Sequence, residues 1–300
     1  MSDSPDGAAW RENARRIEGL GYSTLFMPDH FIDTRLAPMV GLAVAAEATS
    51  TLRVGALVFD NDYKHPAILA KETATIDLLS DGRVELGIGA GWMRVDYDAL
   101  GLPYDRAGVR IARLEEALAV IKGCFAAGSF SYSGTHYTIT DYDSIPKPIQ
   151  QPLPIMIGGG GRKVLTLAGR EADIIGINPN LRAGELSSDQ AADTVAEQTE
   201  RKIGWIKEGA GDRFESIELQ IRYFFAAVTD DRQSLAEAAA PAFGVTAEEA
   251  LGSGVALLGT VDEICDTLVE RRERWSVSYI VIGDDQVDAF APVVARLAGT

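Results

Sequence analysis

Cysteine and histidine are scarce in this sequence. Its 300 residues include two cysteines and three histidines. Cys124 and Cys265 lie far apart in the chain, without a CxxC motif and without a neighbouring histidine. This spacing supports neither a disulfide framework nor a zinc site, so we expect two buried structural thiols and no metal centre.

The sequence is also poor in basic residues. It has 28 lysines and arginines against 44 aspartates and glutamates, which gives a formal net charge of −16. Because phosphate binding needs a basic face, this balance argues against nucleic acid as a partner. No apolar run approaches the roughly 18 residues that a membrane span requires, and residues 1–7 contain no signal-peptide core. We therefore expect a cytoplasmic protein that binds neither nucleic acid nor membranes.

What the sequence does contain is an alternation of short β-rich runs with amphipathic helical patterns. Most of these runs are apolar throughout, as are strands that are covered on both faces of a parallel sheet. The predicted strands are Tyr22–Met27, Leu52–Phe59, Val84–Ile88, Pro154–Ile157, Asp173–Ile177, Ile217–Val228 and Tyr279–Ile282. Helices are predicted to begin at Ser4-Pro5 and at Pro66, and a longer one spans Arg106–Phe125. This pattern predicts an α/β fold, either a (β/α)8 TIM-type barrel or an open doubly wound sheet, in a single domain over residues 1–300.

The strand count is one short of a barrel. Eight strands are needed and seven are predicted; the missing one should precede the first helix, where only Met1–Ser4 remain. We favour a barrel whose first strand is absent from this chain, with the open sheet as the alternative. Two insertions interrupt the alternation: residues 128–151, with a predicted hairpin around Ser133-Gly134, and the alanine-rich residues 229–260, which are predicted to be helical.

The candidate site residues follow the strands, because ligands of parallel α/β folds bind beyond the carboxyl ends of the strands. They are Asp29 and His30, then Asp60–Asp62, Gly89–Trp92, Gly158–Gly161 and Asn178. His30 can act as an acid or a base near neutral pH, and Asp29 can accept a hydrogen bond beside it. A lone histidine is more often structural or exposed, so the case for His30 rests on its position. His65, which precedes Pro66, is predicted to serve the entry of a helix.

Two glycine-rich turns suggest ligand contacts. Gly158–Gly161 separate an apolar strand from a helix, so backbone N–H groups there can approach a phosphate at the helix N-terminus; a flexible turn is the alternative. Lys163 and its neighbour Arg162 add positive charge. The sequence GIGAG, residues 87–91, lacks the spacing and context of a dinucleotide fingerprint. A tight turn that lets a flat ligand approach the backbone fits it better, with Trp92 as a wall.

Several stretches resemble the bacterial luciferase-like oxidoreductases, and most closely the actinobacterial members presumed to use the deazaflavin coenzyme F420. They are GLGYSTLFMPDHF at residues 19–31, the run from Leu52 to Leu118, residues 154–178 with PIMIGGGGRKVLTLAGREADIIGIN, and VALLGTVDEICDTLVERRERWSVSYIVI at residues 255–282. The resemblance implies a luciferase-like barrel with insertions that holds a flat flavin or deazaflavin. Family members begin with a strand before the first helix, which this chain lacks.

The resemblance also implies roles for individual residues. His30 matches a proton donor near the reactive face of the ring, and it is the catalytic candidate. Trp92 and Asn178 would contact the substrate; because the family's sugar-phosphate dehydrogenases have a glutamate where this chain has Trp92, a hydrophobic or aromatic substrate is expected. The implied cofactor contacts are Asp29, Ala56, Leu57, Phe59, Ala90, Gly91, Gly160, Gly161, Lys163 and Val164, with Ala56-Leu57 at a bulge where the family often has a non-proline cis peptide.

Three functions remain open at this point. The first is hydride transfer between coenzyme F420 and a small organic substrate. The second is an FMN-dependent monooxygenase, which the sequence hardly separates from the first. The third is a flavin-binding barrel without catalytic activity. A homodimer is expected in each case.

Overall fold

The structure, a computed structural model, describes residues 4–32, 34–181, 184, 192–243 and 245–300. The chain divides into two compact units, of which the first comprises residues 1–18 and 23–157 and the second residues 19–22 and 158–300. Within the described ranges, no helix is long and apolar enough to cross a membrane. The single domain expected over residues 1–300 stays a prediction.

Helix α1 (Gly7–Gly19) begins two residues later than predicted. The cap is Asp6 rather than Ser4, because the Asp6 carboxylate accepts hydrogen bonds from the backbone N–H groups of Ala8 and Ala9, both at 2.9 Å. The predicted apolar face of α1 is buried, and its Trp10 Nε1 donates a 2.8 Å hydrogen bond to the Gly41 carbonyl of helix α2 (Pro38–Ala48). The described residues before Thr24 contain no strand, so the sheet begins after α1, as predicted.

The first unit contains a parallel sheet. Its neighbouring strands are, in order, β1 (Thr24–Met27), β2 (Arg53–Ala56), β4 (Val84–Gly89) and residues 155–157 of β7 (Ile155–Gly159), with the short β3 (Phe59–Asp60) also paired to β4. The single strand predicted over Leu52–Phe59 is therefore two strands. A cis peptide bond joins Leu57 and Val58 between them, one bond later than the Ala56-Leu57 position that the resemblance implied.

Helices cover this sheet. They are α2, α3 (Pro66–Leu79), α4 (Arg94–Leu100) and α5 (Ala107–Phe125). His65 caps α3 as predicted, since its Nδ1 accepts a 3.2 Å hydrogen bond from the Ala67 N–H. The predicted hairpin is present as the antiparallel pair β5 (Phe130–Ser133) and β6 (Thr138–Tyr142). Its turn is fixed to α5 by the Glu116 carboxylate, which accepts hydrogen bonds from three consecutive backbone N–H groups, at residues 135–137.

The second unit repeats the strand-then-helix pattern with one insertion. Its elements are α6 (Arg162–Glu171), β8 (Ile174–Ile177), α7 (Ala196–Ala210), β9 (Glu218–Arg222), β10 (Phe225–Val228), α8 (Arg232–Phe243), α9 (Ala247–Leu251), β11 (Ala256–Gly259), α10 (Val261–Trp275), β12 (Val277–Val281) and α11 (Val287–Leu297). The parallel strands β8, β9 and β12 are neighbours in that order.

Two expectations for the second unit were wrong in detail. The strand predicted over Ile217–Val228 is two strands, because the chain leaves the sheet at Tyr223-Phe224 and β10 pairs instead with β11. Strand β11 lies inside the segment 229–260 that was predicted to be helical throughout. Its four residues, all buried, are too few to show a period of their own. Cys124 and Cys265 are free and buried, as predicted.

Candidate active site

His30 lies in the turn after β1, and a second residue orients its ring. The Nδ1 atom of His30 is 2.7 Å from Oδ2 of Asp96 in α4. The His30 side chain is 22% exposed, whereas that of Asp96 is fully buried. When the ring is neutral, the carboxylate can only accept, so the proton resides on Nδ1 and Nε2 carries the free lone pair. The pair therefore fixes both the direction of the ring and its tautomer.

The same carboxylate also fixes the backbone beyond His30. Oδ1 of Asp96 accepts hydrogen bonds from the N–H groups of Phe31 at 3.1 Å and Ile32 at 3.0 Å. Both Asp96 oxygens are thus used, which compensates its burial. Sequence reasoning missed Asp96 because it considered only residues directly at strand ends, and Asp96 lies in the helix that follows the β4 turn. An acidic residue on the buried side of a short helix just past a strand end was the available signal.

Trp92 packs against His30. The two ring centroids are 5.6 Å apart and the rings meet edge to face at 88°. The Tyr104 hydroxyl donates a 2.9 Å hydrogen bond to the Trp92 carbonyl. The buried Arg110 guanidinium donates to the carbonyls of Ala90 and Gly91, at 3.1 and 3.2 Å. The turn after β4 is consequently held in place at three successive carbonyls.

Gly91 is required by the packing beneath this turn. Its φ of +73° is in the left-handed region, and a Cβ atom there would lie 1.9 Å from the Tyr97 hydroxyl. The same atom would come within 2.5 Å of the Asp60 carboxylate. The glycine therefore allows the backbone to lie directly on these two polar side chains, as the predicted tight turn demands.

A cluster of carboxyl groups underlies the site. The Asp29 carboxylate accepts a 3.1 Å hydrogen bond from the Asp60 N–H, and the Tyr97 hydroxyl lies within 3.1 Å of the carboxylates of Asp60 and Asp62. Burial raises the pKa of Asp60 to about 7, and the negative charges of Asp62 and Asp29 add to the effect. Burial also raises the pKa of Asp29. Arg113 pairs with Asp62 at 2.7 Å and supplies positive charge to the cluster.

Three of the predicted cofactor contacts, Ala56, Leu57 and Phe59, lie between the end of β2 and the start of β3. Ala56 is fully buried, and a Cβ on Gly87 would lie only 1.9 Å from the Ala56 carbonyl oxygen, so β2 and β4 approach closely there. Leu57 donates its N–H to the Met27 carbonyl at 2.9 Å, which ties the β2 end to the end of β1. Phe59 is 7% exposed. It is therefore more a core residue than an open contact surface.

In the second unit, the tetraglycine leads into α6 as predicted. Gly161 is the residue before the helix, and no side chain caps the first backbone N–H groups. A Cβ on Gly160 would lie 2.3 Å from the Pro179 carbonyl oxygen, so this position must be glycine. Gly159 packs in the same way on Val164, which is buried. Lys163 is exposed in the first helical turn.

These residues fit a phosphate group. The uncapped N–H groups and the helix dipole favour an anion at the α6 N-terminus, and Lys163 has no partner among the described residues. Arg162 is different, because it pairs with Glu208 at 3.0 Å. In the first unit, Lys64 likewise pairs with Glu72. Neither of these two cations is thus fully available for a ligand.

Asn178 follows β8 and is anchored through its backbone. Its N–H donates to the Gly159 carbonyl and its carbonyl accepts from Lys202 Nζ, both at 2.9 Å. The buried Lys202 also pairs with Asp193 at 2.6 Å. The amide side chain of Asn178 has only a long 3.5 Å hydrogen bond to the Gly176 carbonyl. In the described ranges, no three histidine, cysteine, aspartate or glutamate side chains are arranged to hold a metal ion.

The architecture is similar to that of several solved structures. The structure superposes on the coenzyme F420-dependent tetrahydromethanopterin reductase of Methanopyrus kandleri with a TM-score of 0.76 at 20% identity, over 98% of this chain and 94% of that one. It superposes equally, with a TM-score of 0.76 at 14% identity, on the long-chain alkane monooxygenase LadA, over 97% of this chain and 84% of that one. At these identities the likeness shows the fold alone. The predicted α/β fold of the luciferase-like kind is confirmed.

The family follows from the sequence itself. The model of the luciferase-like monooxygenase family matches residues 2–295, and the chain belongs to that family. One relative is the F420-dependent glucose-6-phosphate dehydrogenase of Amycolatopsis mediterranei (strain U-32), 29% identical over 71% of this chain and 64% of that protein. Another is the FMNH(2)-dependent dimethylsulfone monooxygenase of Pseudomonas putida, 35% identical over 44% of this chain and 37% of that protein. The chain thus spans less than two thirds of the length of either relative.

Proposed function

We propose that this protein is an oxidoreductase that transfers hydride between coenzyme F420 and a small organic substrate, with His30 as the proton donor. The observation that carries the proposal is the fixed His30–Asp96 pair. Hydride transfer to an unsaturated substrate leaves a negative charge that a proton must neutralise, and a histidine can deliver that proton near neutral pH. The relatives of both the sequence and the fold include F420-dependent enzymes.

The cofactor contacts are proposed separately for each unit. In the first unit, Asp29, Ala56, Leu57, Ala90 and Gly91 would adjoin the flat ring system. Phe59 would support it from the core. In the second unit, Gly160 and Gly161 would receive a phosphate group on their backbone N–H groups. Lys163 would add positive charge, and Val164 would pack beneath the turn.

When bound, the deazaflavin supplies the hydride donor or acceptor, and the protein supplies orientation and proton transfer. The Asp96 carboxylate stabilises the protonated imidazole through Nδ1, which leaves Nε2–H free to donate to the substrate. Trp92 excludes water from one edge of the His30 ring and would contact an apolar or aromatic substrate. Asn178 would offer its amide to a polar group of that substrate. A sugar phosphate is not proposed, since Trp92 replaces the acid–base partner expected there.

An FMN-dependent monooxygenase is the second candidate. It is favoured by the 35% identity with the dimethylsulfone monooxygenase, which exceeds the identity with the first dehydrogenase, although over a shorter stretch. Both functions would use the same fold. They differ in whether the reduced cofactor reacts with oxygen. The presence of His30 does not distinguish between them.

Single-turnover kinetics test the role of His30. The His30→Ala variant, loaded with reduced F420, should transfer hydride to a panel of ketones, aldehydes and activated alkenes roughly 100-fold or more slowly than the wild type. The His136→Gln variant alters a hairpin histidine and is the control, expected to react at the wild-type rate. An unchanged rate in His30→Ala removes this residue from the chemistry. Binding of F420 without turnover of any panel member would favour a barrel without catalytic activity.

A further inference from the structure

The guanidinium of Arg222, the last residue of β9, has no counter-charge among the described residues. The side chain is partly buried, and burial lowers its pKa with no described carboxylate nearby to oppose the effect. Its one aromatic contact is with Phe224, whose ring centroid lies 4.9 Å from the guanidinium carbon. Within the described ranges the guanidinium forms no ion pair and no hydrogen bond.

Arg110 and Arg271, which are buried, have hydrogen-bond partners. Arg110 donates to three backbone carbonyls, and Arg271 donates to the carbonyls of Ser253 and Ala256 at 3.0 and 2.8 Å. A partly buried cation without a partner is costly, and none of the described carboxylates pairs with Arg222. A bound anion would compensate this charge.

Two polar side chains near the ends of β9 and β8, Gln220 and Asn178, also have unused hydrogen-bonding capacity. Gln220 lies two residues before Arg222, on the same face of β9, and is fully buried with neither amide atom hydrogen-bonded. Gly176 is its register partner on β8, and a Cβ on Gly176 would lie 2.8 Å from Gln220 Oε1. If this register continued for two more residues, it would place Asn178 opposite Arg222. Three polar side chains with spare hydrogen-bonding capacity would then line one face at the carboxyl ends of β8 and β9.

We propose that Arg222 binds a carboxylate group of the substrate, next to Asn178. The inference rests on one part of the proposed function, namely that the protein acts on an organic substrate. The planar guanidinium matches a carboxylate with two parallel N–H···O bonds, and Phe224 limits its rotation from one side. Gln220, two residues earlier in β9, would help to order the guanidinium once the ligand is bound.

Charge balance favours a carboxylate over a phosphate monoester. One guanidinium neutralises one negative charge, whereas a phosphate monoester carries nearly two at neutral pH. Lys202, the other buried cation beside Asn178, directs its Nζ to two carbonyls and the Asp193 carboxylate and has no donor left. The substrate class is thus an apolar or aromatic compound with a single carboxylate.

Calorimetric titration of the full-length protein tests this assignment without turnover. The probes are sodium benzoate, inorganic phosphate and uncharged benzyl alcohol, each added with and without saturating F420. The variants are Arg222→Met, Arg222→Lys and, as a matched control, Arg201→Met, which alters an exposed arginine of α7. Benzoate should bind the wild type and Arg201→Met equally, bind Arg222→Met roughly 10- to 100-fold more weakly, and bind Arg222→Lys at an intermediate level.

Thermal unfolding gives a second readout. Arg222→Met removes a partly buried charge that has no partner among the described residues and keeps a similar volume, so its melting temperature without ligand should exceed that of the wild type. Equal benzoate affinity in the wild type and either Arg222 variant would overturn the inference, as would tighter binding of phosphate than of benzoate. A parallel loss of F420 affinity in Arg222→Met would assign Arg222 to the cofactor instead. Benzoate binding that depends on Arg222 in a protein that binds no F420 would refute the proposed function alone.

Discussion

Replacing Asp96 by asparagine isolates the contribution of one charge to the candidate site. In the wild type, Oδ2 faces His30 Nδ1 at 2.7 Å and Oδ1 accepts the Phe31 and Ile32 N–H groups. Asparagine preserves shape and can keep its oxygen toward the two backbone donors. Its NH2 group then faces His30, so Nδ1 must accept and the ring proton moves to Nε2. The substitution should reverse the tautomer while leaving the turn intact.

The magnitude follows from the hydrogen bond that is lost. A hydrogen bond to a charged group contributes about 1.5–3 kcal/mol, which corresponds to a rate factor of roughly 10 to 150. Hydride transfer coupled to protonation by His30 should slow by that factor in Asp96→Asn. The control is Asp98→Asn on the same helix, because Asp98 is 62% exposed and, of the residues that the structure describes, pairs only with Arg94, at i,i+4. Its rate should equal that of the wild type.

Nitrogen NMR on histidine-labelled protein measures the tautomer directly and needs no substrate. The chain has only three histidines, and His30→Gln identifies the signals of His30 by their loss. His65 serves as an internal reference, since its Nδ1 accepts from the Ala67 N–H and its neutral ring must carry the proton on Nε2. Neutral His30 should be protonated on Nδ1 in the wild type and in Asp98→Asn, and on Nε2 in Asp96→Asn. An unchanged His30 tautomer in Asp96→Asn would refute the reasoning.

Three further changes have defined outcomes. Burial raises the pKa of Asp60 to about 7, above its unfolded value, so the native state loses stability as the pH rises toward and through 7. Asp60→Asn should therefore raise the melting temperature more at pH 8 than at pH 5. An equal gain at both pH values would contradict this. Gly91→Ala should lower the free energy of unfolding, measured in urea, by more than Gly101→Ala does. Both glycines have positive φ, but only at Gly91 would the new Cβ meet a side chain, the Tyr97 hydroxyl at 1.9 Å. Lys163→Ala should weaken F420 binding about 3- to 10-fold in a fluorescence titration, with an effect that shrinks as salt is added, and a salt-independent affinity would contradict a role in phosphate binding.

The sequence predicted those parts of the fold that depend on local pattern. The apolar runs identified the parallel strands, and the buried face of α1 follows from the spacing of Trp10, Ala14 and Ile17. Boundaries shifted where a side-chain contact decides them, as at the α1 cap. Strand β11 escaped because four buried residues have no periodicity, and its identity as a strand depends on pairing with β10, about 30 residues earlier.

The candidate site could likewise be predicted only where local sequence position was enough. Strand-end position was enough to single out His30 and Trp92, whose rings are in contact. Asp96 and Arg222 could not be singled out in this way. The importance of Asp96 arises from a contact across 66 residues, and that of Arg222 from its lack of a partner among the described residues. Neither property can be predicted from the residues next to Asp96 or Arg222 in the sequence.

Competitive cofactor binding tests the central claim most directly. Fluorescence titration of the wild-type protein with F420 and with FMN, followed by stopped-flow mixing of the reduced complexes with oxygen, separates a hydride-transfer enzyme from a monooxygenase. The proposed function predicts that F420 binds at least about tenfold more tightly than FMN, a preference of some 1.4 kcal/mol, and that the reduced F420 complex consumes no oxygen. Tighter binding of FMN, together with oxygen consumption by its reduced complex, would contradict it.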